Sequence, residues 1–214
     1  MFDLIAQELE EYCEEHTSDE RELLYQLYRE TNLKVVKPRM ISGKLQGAFL
    51  TFIAKMIKPE NVLEIGTFTG YSTICLAEGL LQNGKIDTIE VDIELEDIIR
   101  KYVSKSGYET QINLLLGNAL ELIPNLNKSW DLVFVDADKK DYLAYYKLIL
   151  PQMKKGAIML VDNVLWSGKV LNDVPENDKD TKAIMAFNDY IQQDLNVKNM
   201  ILPFRDGMML IEKL

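Results

Sequence analysis

Two short stretches hold the residues best suited to chemistry: Phe134-Val135-Asp136-Ala137-Asp138-Lys139-Lys140 and Val161-Asp162-Asn163-Val164-Leu165-Trp166. Each begins as a run of apolar residues, the mark of a buried strand. Parallel strands would bring both ends to one rim of a sheet, where two carboxylates and an amide can converge. Three hard oxygen donors leave three places in an octahedral shell, which suits Mg²⁺, Mn²⁺ or Ca²⁺ rather than zinc. An aspartate after a strand is often only a helix N-cap, so Asp-x-Asp alone is a weak signal. Asp-Asn at a second strand end strengthens it.

A second constellation lies upstream. The run Val-Leu-Glu64-Ile-Gly66-Thr-Phe-Thr-Gly70-Tyr-Ser72 ends a predicted strand in a turn where Gly66 and Gly70 let a ligand approach the backbone. The dinucleotide fingerprint GxGxxG is absent, because Phe68 occupies its second glycine. The next predicted strand ends in Glu90, about 20 positions on, where a carboxylate can accept hydrogen bonds from ribose hydroxyls. The only histidine, His16, lies in an acidic N-terminal segment, so a Ser–His–Asp or Cys–His mechanism has no histidine near these strands.

The elements that must position these residues follow from periodicity. Residues 2–14 and 18–31 are predicted as amphipathic helices split at His16-Thr17-Ser18-Asp19, with Ser18 as N-cap, and a third helix runs from Ser42 to Ile57. Strands are then predicted at Val62–Ile65, Ile86–Glu90, Ile112–Leu116, Leu132–Val135 and Ala157–Val161. They alternate with helices at Tyr71–Leu81, Leu95–Ser106 and Tyr142–Leu150. This alternation implies βαβ units and a parallel sheet with helices on both faces. A helix over Asp180–Leu195 leads to Val197–Leu202 and Met208–Glu212, joined by a short Asp-Gly loop, so the last strand is expected to be antiparallel. Seven strands result. With no repeat or linker, the chain is expected to be one domain over residues 1–214, with residues 1–35 as a helical extension.

Composition narrows the class. The 214 residues are 47% hydrophobic and 27% charged, an ordinary globular balance. No apolar run approaches the roughly 20 residues of a membrane span, and the acidic start is unlike a secretory signal. A cytoplasmic location is expected. Cys13 and Cys75 form no CxxC pair and suggest plain thiols rather than zinc or a disulfide. The formal net charge of −10 is the opposite of what many phosphate contacts require.

Glu-x-Gly-x-x-x-Gly with an acid ending the second strand resembles the Rossmann-like class I methyltransferase fold. The fuller string LEIGTFTGYS resembles the caffeoyl-CoA and catechol type of metal-dependent O-methyltransferase. Met40-Ile-Ser42-Gly-Lys-Leu-Gln46-Gly47 matches that family's upstream element, and Gly117-Asn118-Ala119 its adenine-side turn. The similarity runs from about residue 36 to the C-terminus.

The resemblance implies S-adenosylmethionine as methyl donor and a homodimer. Met40 and Ser42 would cover the methionine end of the cofactor. Glu64 and Gly66 would line its amino-acid and ribose portion, Glu90 the ribose, Ser72 its carboxylate and Ala119 its adenine. Asp136, Asp162 and Asn163 are implied as ligands of a divalent cation, Mg²⁺ before Mn²⁺ or Ca²⁺. Asp136 and Asp138 are implied as cofactor contacts and Lys139 as the catalytic residue. A metal ion on a hydroxyl oxygen eases its ionisation. Like charges around Lys139 would favour the neutral amine that takes the proton.

The polar loop 167–180 lacks the arginine and tyrosine residues that plant caffeoyl-CoA enzymes carry there. A small, hydroxylated aromatic acceptor of catechol type is therefore expected, its two adjacent oxygens chelating the metal; Trp166 stands either as a wall for its ring or as plain packing. The rival acceptor is a tRNA hydroxyuridine, with Lys34, Lys37, Arg39, Lys139 and Lys140 as phosphate contacts. A cofactor-binding module without catalysis would be expected to lack the acidic set, and a nicotinamide oxidoreductase is disfavoured by the missing GxGxxG.

Overall fold

A computed structural model describes residues 7–214. Residues 1–6 of the first predicted helix lie outside the described part, and that helix, α1, spans Gln7–Glu15. The chain divides into two compact units, one over Glu11–Asn118 and one over Ala119–Leu214 with the described residues up to Glu10.

The first unit carries α2 (Glu22–Lys34), α3 (Gly43–Ile57), β1 (Asn61–Ile65), α4 (Tyr71–Ala77), β2 (Lys85–Glu90), α5 (Glu96–Ser106) and β3 (Ile112–Leu116). Its strands lie in the order β3-β2-β1 and are all parallel. Val62, Leu63, Glu64 and Ile65 are buried on consecutive positions, the pattern of a strand covered on both faces. A tight turn ends α5 at Gly107, whose φ of 87° a side chain would oppose.

Two predicted boundaries in this unit are corrected. The second helix starts at Glu22 rather than residue 18, and its N-cap is Arg21, without a side-chain bond, instead of Ser18. Tertiary contacts draw the preceding residues out of helix. Asp19 pairs with Lys44 at 3.5 Å, Glu20 accepts the Tyr71 hydroxyl, and Arg21 donates to the Ser106 carbonyl at 2.9 Å. The fourth helix stops at Ala77 rather than residue 81, because the chain turns at Gly79 against Ala54, leaving no room for a side chain. Gly47 allows the same closeness along α3, since a Cβ there would lie 2.6 Å from Tyr71 Cε1.

The second unit carries α6 (Ala119–Leu122), β4 (Trp130–Val135), α7 (Tyr142–Ile149), β5 (Met153–Val161), α8 (Lys179–Gln193), β6 (Val197–Leu202) and β7 (Met208–Lys213). Its strand order is β4-β5-β7-β6. β4 and β5 are parallel, and β7 runs antiparallel to both its neighbours, as the Asp-Gly loop predicts. β5 begins four residues earlier than expected, through a register shift between Trp130 and Leu132 opposite a stretch containing Gly156 at φ 79°. The charged Lys154-Lys155 pair hides this start in the sequence. Tyr142 and Tyr146 of α7 meet Phe187 of α8 edge-on, at centroid distances of 5.7 and 6.4 Å. Aromatic pairs of this geometry contribute about 0.5–1.5 kcal/mol beyond their burial. Among the described residues, no helix is long and apolar enough to cross a membrane.

Candidate active site

In the first unit the glycine turn is tied to the strand beside it. Gly66 N–H donates to the Ile89 carbonyl at 3.0 Å and Gly70 N–H to the Thr67 carbonyl at 2.9 Å. Gly66 and Gly70 have φ of 94° and 90°, and Phe68 between them has φ of 50°, so the backbone crosses the left-handed region three times in five residues.

Glu90 ends β2 and is buried. Its Oε2 accepts Phe68 N–H at 2.7 Å and its Oε1 accepts Asp92 N–H at 2.9 Å. Burial pushes its carboxyl above the ordinary glutamate value, and these backbone donors pull the other way. Val91 N–H is a third backbone donor, so the carboxylate keeps room for a further donor but not on every lone pair. The Gly117 N–H also donates to the Glu90 carbonyl at 2.8 Å, which sets the predicted adenine-side turn by this strand end.

Glu64 is fully buried, and its carboxylate is engaged by three hydroxyls. Ser72 donates to Oε1 at 2.6 Å, while Thr88, at 2.6 Å, and Thr73 donate to Oε2. Thr88 and Thr67 hydroxyls are bonded in turn at 2.5 Å. Ser72 thus spends its proton on Glu64. Thr73 and Thr88 escaped the sequence reading, although Thr88 stands opposite Glu64 in the β1–β2 register.

Met40 ends a short 3₁₀ turn, Pro38–Met40, and is 54% exposed, so it is not core packing. Ser42 is buried just before α3. A cavity of about 340 Å³ in this unit is lined by Lys34, Val36, Phe68, Asp92, Leu95 and Ile98 among others; none of the residues predicted for the methyl donor lines it.

In the second unit the β4–β5 register pairs Val135 with Val161, so Asp136 and Asp162 are the next residues on two adjacent parallel strands. The Asp162 N–H donates to the Val135 carbonyl at 3.0 Å, extending the ladder. Asp162 is 4% exposed, and its Oδ1 accepts the Asn163 N–H at 2.8 Å. Asn163 has φ of 59°, which asparagine tolerates better than most residues. Asp138 caps the 3₁₀ turn Lys139–Asp141 by accepting the Lys140 N–H at 3.2 Å. Ala119 is buried at the start of α6.

Lys139 has only 12% of its side chain exposed, with Nζ 3.1 Å from Asp136 Oδ1. The same Nζ lies 5.2 Å from the Tyr142 ring centre and 5.9 Å from that of Trp166, distances at which an aromatic face attracts a cation. The Tyr142 hydroxyl donates to the Asp162 carbonyl at 2.9 Å. Burial, then the negative charges of Asp136 and Asp162, hold that phenol well above its ordinary titration range. Among the described residues no three His, Cys, Asp or Glu side chains form a metal-binding group. Two aspartates completed by the Asn163 amide oxygen nevertheless make an all-oxygen donor set, which fits a hard divalent cation.

The O-methyltransferase family matches the chain over residues 14–214. Catechol O-methyltransferase domain-containing protein 1 of Mus musculus is 35% identical over 79% of this chain and 66% of its own length. A caffeoyl-CoA O-methyltransferase of Stellaria longipes is 31% identical over 79% of this chain and 74% of its own. Among solved structures, an SAH-bound methyltransferase of Podospora anserina superposes with a TM-score of 0.89 at 27% identity, covering 98% of this chain and 95% of the other. TomG of Streptomyces achromogenes, an O-methyltransferase of tomaymycin synthesis solved with SAM, gives 0.89 at 26% identity, covering 98% of this chain and 99% of the other. These likenesses carry the class I methyltransferase fold.

Proposed function

Since this chain belongs to the O-methyltransferase family, we propose that it methylates a hydroxyl of a small catechol-like acceptor with the aid of a divalent cation held by Asp136, Asp162 and Asn163. It is an S-adenosylmethionine-dependent O-methyltransferase. The observation that carries the finer reading is the β4–β5 register, which makes Asp136 and Asp162 neighbours at two strand ends, with Lys139 ion-paired to the first.

A bound cation, Mg²⁺ ahead of Mn²⁺ or Ca²⁺, supplies positive charge that favours the ionised acceptor oxygen. Lys139, as the neutral amine, takes the acceptor's proton at Nζ, and Asp136 with the faces of Tyr142 and Trp166 holds the ammonium that results. Trp166 walls the acceptor ring. Glu90 accepts from the ribose hydroxyls with the acceptor capacity that the Phe68, Val91 and Asp92 N–H groups leave. Met40 and Ser42 cover the methionine end, Gly66 leaves room for the cofactor along its turn, and Ala119 and Asp138 complete the adenosine contacts. The bond from Ser72 to Glu64 leaves the serine oxygen an acceptor, so it meets the cofactor's ammonium group rather than the carboxylate that the resemblance implies. The protein's main contribution is alignment, because displacement at a sulfonium methyl group demands an in-line approach. A homodimer in the cytoplasm completes this reading.

A tRNA acceptor is less well supported. Three of the five cations it would use are paired with carboxylates: Lys34 with Glu30 at 2.9 Å, Lys139 with Asp136 at 3.1 Å and Lys140 with Asp180 at 3.6 Å. Incubation with labelled S-adenosylmethionine, Mg²⁺ and either a catechol panel or unmodified tRNA separates the two by where the label goes. Asp162→Ala is expected to abolish turnover and to leave S-adenosylmethionine binding largely intact. Full turnover in EDTA, or in that variant, would refute the metal reading.

A further inference from the structure

We propose that Asp206, at the tip of the β6–β7 hairpin, is a positioning residue that holds the Asp162–Ser167 loop in the one conformation able to present Asn163 to a divalent cation. The inference rests on the metal reading above and extends it to a residue outside the ligand set.

The loop leaves β5 in a conformation that L-residues avoid. Asn163, Trp166 and Ser167 have φ of 59°, 48° and 52°, and none is glycine. Strained positions of this kind persist only where the surroundings impose them. Here the hairpin imposes them. The Val164 N–H donates to the Gly207 carbonyl at 3.1 Å and the Leu165 N–H to the Asp206 carbonyl at 3.0 Å. The Ser167 N–H, four residues past Asn163, donates to Asp206 Oδ1. Gly207 completes the fit, since a Cβ on it would stand 2.8 Å from the Leu165 nitrogen and its φ is 88°.

Two further bonds pin the same segment from the helix side. The Tyr142 hydroxyl donates to the Asp162 carbonyl at 2.9 Å and Asn188 Nδ2 to the Val164 carbonyl at 2.9 Å. Those bonds hold carbonyls before and after Asn163. Among the described residues, only the hairpin tip accepts from N–H groups of residues 164–167 outside the loop itself, and only Asp206 does so with a side chain that substitution can remove. Without it the Ser167 N–H loses its acceptor, the left-handed pair Trp166-Ser167 relaxes, and Asn163 loses its fixed direction. Residues that orient metal ligands from behind typically change metal affinity 10–100-fold when removed.

The test compares Asp206→Ala with Asp206→Asn. The asparagine keeps a side-chain oxygen that can accept from Ser167. Mn²⁺ affinity is read by the electron paramagnetic resonance signal of free Mn²⁺, without acceptor, and S-adenosylmethionine affinity by calorimetry. Asp206→Ala is expected to weaken Mn²⁺ binding at least tenfold with S-adenosylmethionine affinity within about twofold of wild type. Asp206→Asn is expected to restore Mn²⁺ affinity to within about threefold. Wild-type Mn²⁺ affinity in Asp206→Ala overturns the proposal, as does a variant that merely melts at lower temperature. Asp162→Ala separates the two levels. If it too binds Mn²⁺ like wild type, the metal reading itself has failed; if it alone loses Mn²⁺, only the role of Asp206 has.

Discussion

Thr88 and Glu64 face each other across the β1–β2 register, and the threonine hydroxyl donates to the buried glutamate at 2.6 Å. The carboxylate most easily taken from the motif as a cofactor contact is thereby part of a hydroxyl network inside the sheet. Thr88→Val keeps the shape of the side chain and removes that donor. It is expected to destabilise the fold by about 1–2 kcal/mol, seen as a drop of roughly 2–8 °C in melting temperature. A melting curve superimposable on wild type would show that the network contributes nothing.

Glu90 faces the opposite test. Its two oxygens accept backbone N–H groups of Phe68 and Asp92, which orient it without exhausting it. Glu90→Ala is expected to cost about 1–3 kcal/mol of S-adenosylmethionine affinity by calorimetry. Because burial raises this carboxyl, wild-type affinity should begin to fall on acidification at a higher pH than an ordinary glutamate would dictate, since the protonated form is the poorer acceptor. Unchanged affinity in the variant removes Glu90 from the ribose.

Lys139→Met should cut turnover roughly 10²–10⁴-fold, the usual share of a general base, with Mn²⁺ and S-adenosylmethionine binding retained. The loss should shrink for a nitrocatechol, whose hydroxyl ionises more readily. Equal impairment with both acceptors would mean that Lys139 positions the substrate rather than deprotonating it. Absence of impairment with either would leave ionisation to the metal alone.

Glu30 links α2 to α5 by accepting from Lys101, from Lys34 at 2.9 Å and from the Tyr102 hydroxyl at 2.8 Å. These bonds, that from Lys101 foremost, lower its carboxyl from 4.5 to about 2. A lowered carboxyl stabilises the fold fully above the unfolded value and loses that contribution as pH falls toward the folded one. Urea unfolding of wild type and Glu30→Gln should therefore differ most at pH 6 and converge between pH 4.5 and about 2. A difference independent of pH would assign the effect to packing instead.

Much of this protein is written locally. Strand runs such as Val62–Ile65 and Leu132–Val135, the Gly66–Gly70 turn and the acid ending β2 are legible because periodicity and turn chemistry act between residues a few positions apart. The Asp-Gly loop likewise announces the antiparallel last strand. What escaped the sequence is what depends on distant partners. The second helix begins at Glu22 because Asp19, Glu20 and Arg21 bond to Lys44, Tyr71 and Ser106. Thr88 reaches Glu64 from 24 positions away, and Asp206 reaches Ser167 from 39. Register decides such pairs. A shift of one residue would turn Thr88 to the other face of the sheet, while its identity and its neighbours in sequence would stay the same. The chain alone thus names the candidate chemistry, and packing determines which polar groups remain available to a ligand and which are already spent within the fold.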